Sequence, residues 1–168
     1  MATSQDMPRV VVFPPLVPLI TIASSISLQQ LFPLQLFAHL NRNASLPFGA
    51  VLLLAGIGLM ASGTGALTRM GTNVQPSRPT LVLVKTGIYR WTRNPMYVGG
   101  CVAMFGIAFL CKLDWLPLIF PASLVVLHFG IIKPEERYLE QKFGDEYLSY
   151  ASRVPRYLRL FTAPPFRR

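Results

Sequence analysis

The sequence predicts an all-α integral membrane protein of about four transmembrane helices, followed by a cytoplasmic amphipathic helical segment. Three observations carry that prediction. Hydrophobic residues make up 52% of the 168 positions, and charged residues only 14%, against ~25% in soluble domains. Four long runs carry no formal charge. The basic residues gather in the segments that would lie on one side of a bilayer. Length suggests a single membrane domain over 1–168.

The first uncharged run lies between Arg9 and Arg42. It predicts a helix over about 10–31, irregular near its start because of Pro14, Pro15 and Pro18, with a turn at Pro33. A cleaved signal peptide fits less well, because the stretch is long and only Arg9 precedes it. The second run, 46–68, contains Gly49, Gly56, Gly58, Gly63 and Gly65. Small residues suit a spanning helix packed closely on its neighbours. The third and fourth runs, 94–111 and 115–132, are each ~27 Å long as helix, close to the ~30 Å hydrocarbon thickness. Only Lys112-Leu113-Asp114 separates them, which predicts a tight helical hairpin. Trp115 suits the interfacial aromatic belt.

Charge orients the chain. Residues 69–93 hold Arg69, Arg78, Lys85, Arg90 and Arg93 and no acid. The tail from Lys133 holds eight basic and five acidic residues. Four crossings place both segments and the N-terminus on one side, which the positive-inside rule assigns to the cytoplasm. The net charge of +9 suits anionic headgroups better than nucleic acid, since nucleic-acid binders are rarely this apolar. The expected setting is a bacterial inner membrane, or the endoplasmic reticulum in a eukaryote. Cys101 and Cys111 would lie ~15 Å apart along one helix, too far to pair. His39 and His128 fall in different apolar stretches and read as packed or interfacial, and no metal site is expected.

The tail, 133–168, reads as a separate helical segment. Pro134 suits the first turn of a new helix, with Glu135 and Glu136 beside it. Leu139, Phe143, Tyr147 and Tyr150 recur at roughly helical spacing. Gly144 would interrupt the helix, and Asp145 would cap its resumption. Ahead of the third span, Asn94 can cap the helix and Pro95 suits its first position. The first-turn N–H groups, with Arg90 and Arg93, would then favour an anion. A capped helix with a positive anchor explains the same residues equally well. Adjacent helix residues point ~100° apart, so Glu135 and Glu136 should serve different groups.

Gly-x-Tyr-x-x-x-Arg-x-Pro-x-Tyr-x-Gly, from Gly87 to Gly99, resembles the hallmark of the isoprenylcysteine carboxyl methyltransferase family, which is related to the phospholipid N-methyltransferases. Glu135-Glu136, Phe143-Gly144-Asp145-Glu146-Tyr147, Tyr150 and Arg153-Val154-Pro155 resemble its second half. Gly71-Thr72-Asn73-Val74 and Arg78-Pro79 look like the segment preceding the hallmark in bacterial members. The resemblance covers roughly 69–156. It implies S-adenosylmethionine as methyl donor, held by Arg93, Asn94, Pro95, Tyr97 and Gly99 on one wall and by Glu135 and Glu136 on the other. Glu136, Arg153 and Tyr147 are the expected catalytic residues, Arg153 steering an anionic substrate and Tyr147, or Tyr150, lining the pocket. Gly56-Ile57-Gly58 loosely matches a cofactor pattern of the phospholipid branch, although packing explains it more simply. Many members have His where this chain has Asn94, and Asn can neither donate nor accept a proton near neutral pH.

The expected reaction is transfer of a methyl group to a lipid-like or isoprenylcysteine-like carboxylate. A carboxylate arrives ionised and needs no base, leaving proximity and charge placement to the protein. An amine acceptor would need a deprotonating group, and no obvious candidate stands out in the sequence. The alternatives are a phospholipid N-methyltransferase, a sterol-reductase-type membrane oxidoreductase using NADPH, and a non-catalytic membrane protein. The expected partners are a lipid-like or prenylated small substrate and membrane lipids.

Overall fold

The computed structural model describes residues 7–158 apart from 9, 38 and 77. Arg9, at the edge of the first apolar run, and the tail beyond 158 lie outside the described residues. Among these, every regular element is helical. The order is α1 (Leu16–Leu31), α2 (Arg42–Arg69), a 3-10 turn (Gly87–Arg90), α3 (Pro95–Cys111), α4 (Trp115–Leu127), a π-helical turn (His128–Ile132), α5 (Lys133–Phe143) and α6 (Asp145–Arg153).

The helix α1 begins six residues later than the hydropathy suggests. Pro14 and Pro15 hold the chain out of the helix until Leu16, because neither has an N–H to continue a ladder. Its buried positions Val17, Thr21 and Ser25 follow an i, i+4, i+8 stripe. The two hydroxyls donate to the carbonyls one turn earlier at 2.7 Å, so no polar atom of theirs is stranded. The helix α2 begins earlier than expected, because the Asn41 side chain accepts from Asn43 N–H at 2.9 Å and caps it.

The helices α2 and α3 pack through glycine. A Cβ added at Gly56 would lie 2.5 Å from Gly99 O and Ala103 N, and one at Gly106 would lie 2.5 Å from Leu53 N. Only hydrogen atoms on both sides permit so close an approach. The helix α4 packs chiefly on α1, and contacts α3 much less.

The α3–α4 turn is anchored to the α1–α2 connection. Lys112 adopts the left-handed region at φ 50°. Asp114, only 3% exposed, accepts from Phe37 N–H at 2.8 Å and from Gln29 Nε2 at 3.1 Å. Trp115 Nε1 donates to Phe32 O at 2.7 Å. One end of the bundle is thus closed.

At the other end the expected break before the tail does not occur. Residues 115–143 form one continuous helical rod of 29 residues, so Pro134 does not start a new helix. Lys133 N–H donates to His128 O five residues back, and this wider turn accommodates the proline. Pro134 has no N–H to give Gly130 O, which accepts from Val11 N–H at 2.9 Å instead. A rod of ~43 Å exceeds the ~30 Å hydrocarbon thickness. The rod Trp115–Phe143 and α2 are the two helices long and apolar enough to cross a membrane. The helices α1 and α3 are shorter apolar helices. Gly144, at φ 51° and ψ −128°, ends α5 and turns the chain into α6. Asp145 is therefore the first residue of α6 and does not cap it.

Candidate functional site

Two cavities meet near the start of α3. The first is charged. Its walls come from the 72–84 loop, the beginning of α3, the first turn of α5 and the inner face of α6. Tyr147 and Tyr150 on α6 pack with Leu83 and Val154. Tyr150 Oη donates to Tyr89 O at 2.8 Å, which fixes the 3-10 turn of the hallmark segment. Gly87 enters that turn at φ 61°, a left-handed conformation open to glycine.

The start of α3 is tied to the chain that follows α6. Arg93 N–H donates to Pro155 O at 3.0 Å. Thr92 Oγ1 and Asn94 Nδ2 both donate to Arg156 O, at 3.2 and 3.0 Å. Asn94 therefore does not cap α3 with its side chain. Its amide secures a neighbouring backbone carbonyl, while Pro95 occupies the first position as expected.

Glu136 sits between two guanidinium groups. Arg156 Nη2 and Nε donate to its Oε2 at 2.6 and 2.8 Å. Arg93 Nη1 lies 3.2 Å from its Oε1 and donates to Tyr147 Oη at 3.1 Å. Glu135 points elsewhere, as the ~100° separation requires: Tyr97 Oη donates to its Oε2 at 2.9 Å. Burial pushes the Glu135 carboxyl up to about 7. The Tyr97 hydrogen bond opposes that rise and the Glu136 charge adds to it. Burial, aided by the Glu136 charge, pushes Tyr147 up to about 12. The hydrogen bonds that Arg156 donates to Glu136 raise the arginine further.

Arg93, Asn94, Pro95, Tyr97, Glu135, Glu136 and Tyr147 thus line one cavity. Two other candidates do not. Gly99 faces α2, where its missing Cβ admits the Gly56 carbonyl. Arg153 folds back onto Ser149, donating to its carbonyl and hydroxyl. Arg156, which the sequence reading did not single out, stands beside Glu136. No helical periodicity marks Arg156, because it follows the end of α6. Proximity to Pro155 is its only sequence signal. Gly56 packs as described, and Gly58 faces open space.

The second cavity is an apolar crevice of about 670 Å³ between α3 and α4. Cys101, Phe105, Phe120, Leu124 and Phe129 line it. His128 and Tyr157 also line it, with Nδ1 and Oη hydrogen-bonded at 2.5 Å. Tyr97 lines both cavities.

An all-helical apolar chain thus carries a charged chamber built on helix ends, which shares Tyr97 with an apolar crevice. Residues 44–146 match the model of the phospholipid methyltransferase family, and the chain belongs to that family. It is similar to the protein-S-isoprenylcysteine O-methyltransferase of Saccharomyces cerevisiae, 38% identical over 80 residues covering 44% of this chain and 30% of that one. The Schizosaccharomyces pombe protein of the same name is 36% identical over 74 residues, covering 44% of this chain and 31% of its own length. The matched stretch thus spans under a third of either relative. No solved structure matches the chain.

Proposed function

We propose that this protein transfers a methyl group from S-adenosylmethionine to a lipid-like acceptor at the cytoplasmic face of a membrane. The carrying observation is that Tyr97 belongs to both cavities. A polar donor in one chamber and an apolar tail in the other would meet at its ring.

The charged chamber suits the donor chemically. Glu135 and Glu136 match its cationic groups, and Arg93 and Arg156 match its carboxylate. Arg93 Nε and Glu136 Oε1 are buried without a hydrogen-bond partner, as expected of groups that await a ligand. The enclosed space is only about 70 Å³, against ~300 Å³ for a typical ligand pocket. The 72–84 loop must therefore lift to admit the donor. Its polar ties to the rest of the chain include Thr80 N–H to Tyr138 Oη at 3.1 Å and, just beyond it, Lys85 Nζ to Glu146 Oε1 at 2.6 Å, and Leu83 packs on Tyr147 and Tyr150.

The donor, once bound, supplies an electrophilic methyl group. The protein's part is to bind, align and exclude water. Both termini would be cytoplasmic, with α1, α2, α3 and residues 115–132 as four spans. The names of the yeast relatives favour an isoprenylcysteine-like carboxylate as acceptor. Titration of the nanodisc-embedded protein with S-adenosylhomocysteine tests the reading. Saturable binding that is lost in Glu136→Gln is expected, and no saturable binding to the intact protein would sink it.

A further inference from the structure

Three apolar side chains stand exposed around the end of α2 that carries Arg69. Met70 directly follows the helix and is 45% exposed, Leu81 is 59% exposed and Trp91 61%. None of them lies within a helix long enough to cross a membrane, so a spanning segment does not account for their exposure.

Hydrogen bonds hold Leu81 at the level of that helix end. Thr72 N–H donates to Leu67 O at 3.1 Å, in the last turn of α2. Leu81 N–H donates to Thr72 Oγ1 at 2.8 Å. Asn73 Nδ2 donates to Pro79 O at 2.8 Å and closes the loop between them. Trp91 follows the 3-10 turn, and that turn packs on α2. Nearby residues turn the other way: Leu83, Val84 and Tyr89 are buried in the wall of the charged chamber. The segment therefore has an inner face on the chamber and an outer apolar edge. Residues 69–93 hold five basic residues and no acid. Lys85 is engaged by Glu146 and Arg93 by Glu136. Arg69, next to Met70, and Arg78, in the closed loop, are exposed. An exposed tryptophan with arginines at a helix end suits the headgroup level of an anionic bilayer.

We propose that Met70, Leu81 and Trp91 seat on an anionic phospholipid leaflet, with Arg69 and Arg78 on its headgroups, and that this seating restrains the loop from lifting off the charged chamber. The restraint on the chamber rests on the methyltransferase reading; the seating does not.

The test has two readouts. In the first, Trp115→Phe leaves Trp91 as the sole tryptophan. Its emission and its quenching by acrylamide are compared in nanodiscs of dioleoylphosphatidylcholine and of an equal mixture with dioleoylphosphatidylglycerol. If Trp115→Phe does not reconstitute, the difference between the unaltered protein and Trp91→Phe supplies the same signal. The anionic bilayer should shift the emission to shorter wavelength and reduce quenching. High salt should reverse both changes. The shift should be lost in Arg69→Gln/Arg78→Gln and reduced in Leu81→Ser. In the second, release of bound S-adenosylhomocysteine should be slower from the anionic nanodiscs, by up to ~5-fold for each arginine engaged. Trp91 equally accessible in both bilayers, or equally shielded in both, overturns the anionic seating. A shielded Trp91 with equal release rates overturns the restraint on the chamber. A shielded Trp91 in a protein that binds no S-adenosylhomocysteine in either bilayer overturns the methyltransferase reading and supports the seating.

Discussion

Arg156 Nη2 lies 2.6 Å from Glu136 Oε2, and this contact joins the chain after α6 to the first turn of α5. Glu136 is 9% exposed. The partner on its other side, Arg93, is largely covered as well. Removing Arg156 would leave a buried carboxylate with one cation in poorer geometry.

Arg156→Ala is therefore expected to destabilise the protein by roughly 1–2 kcal/mol, below the ~3–5 kcal/mol of a fully buried pair because Arg156 is partly exposed. Thermal unfolding in nanodiscs measures it. Arg153→Ala, which breaks contacts to Ser149 one turn away, should move the midpoint less than Arg156→Ala does. Equal effects would reverse the assignment of these two arginines.

Glu135 predicts a pH dependence. Its carboxyl is pushed up to about 7 from 4.5, so the folded state binds a proton that the unfolded chain has already released. The stabilisation is present below pH ~4.5 and is lost as pH rises through ~7. Unfolding midpoints of the ligand-free protein should fall across that window. In Glu135→Gln the fall should be flatter, since one titrating group is gone. A curve that keeps its full slope in the variant would contradict the assignment.

Gly56→Ala should separate α2 from α3. The added methyl carbon would stand 2.5 Å from Gly99 O and Ala103 N, and backbone cannot yield as a flexible side chain can. A loss of ~1–3 kcal/mol is expected from overpacking. Gly58→Ala, which meets nothing within 4 Å, should be neutral or stabilising by up to ~1 kcal/mol through helix propensity. The pair of midpoints checks the packing face directly.

Asp114→Ala leaves Phe37 N–H without its acceptor and removes one of the two acceptors of Gln29 Nε2. About 1–3 kcal/mol should be lost. Amide exchange at Phe37 should rise in the variant, and unchanged protection there would remove Asp114 from its anchoring role.

Periodicity and charge were enough to reveal the helical class, the apolar stretches and the boundaries at Leu31, Arg69 and Cys111. The mix of basic, aromatic and glycine residues in 85–100 and the paired acids in 133–138 also marked the two segments that meet in the charged chamber. These features are local: hydropathy, helix breakers and charge act within a turn or two of the residues that carry them. Local rules misjudged three places. Pro134 reads as a helix start, yet a π-turn and a carbonyl redirected to Val11 let the helix run through it. Asn94 reads as a cap, yet its amide reaches a carbonyl 62 positions away. Arg153 reads as a site residue, yet its side chain folds back onto Ser149 and is absent from the lining of the charged chamber.

By itself, then, the sequence determined that this chain is helical and apolar, and that its acids and arginines cluster near helix ends. Only the tertiary structure decided which arginine meets Glu136, that Gly99 serves packing, and that Tyr97 stands at the meeting of two cavities. The physical reason is range. Burial and helix propensity are summed along neighbouring residues, whereas each of those pairings depends on how separate helices cross and is fixed only when their side chains interlock.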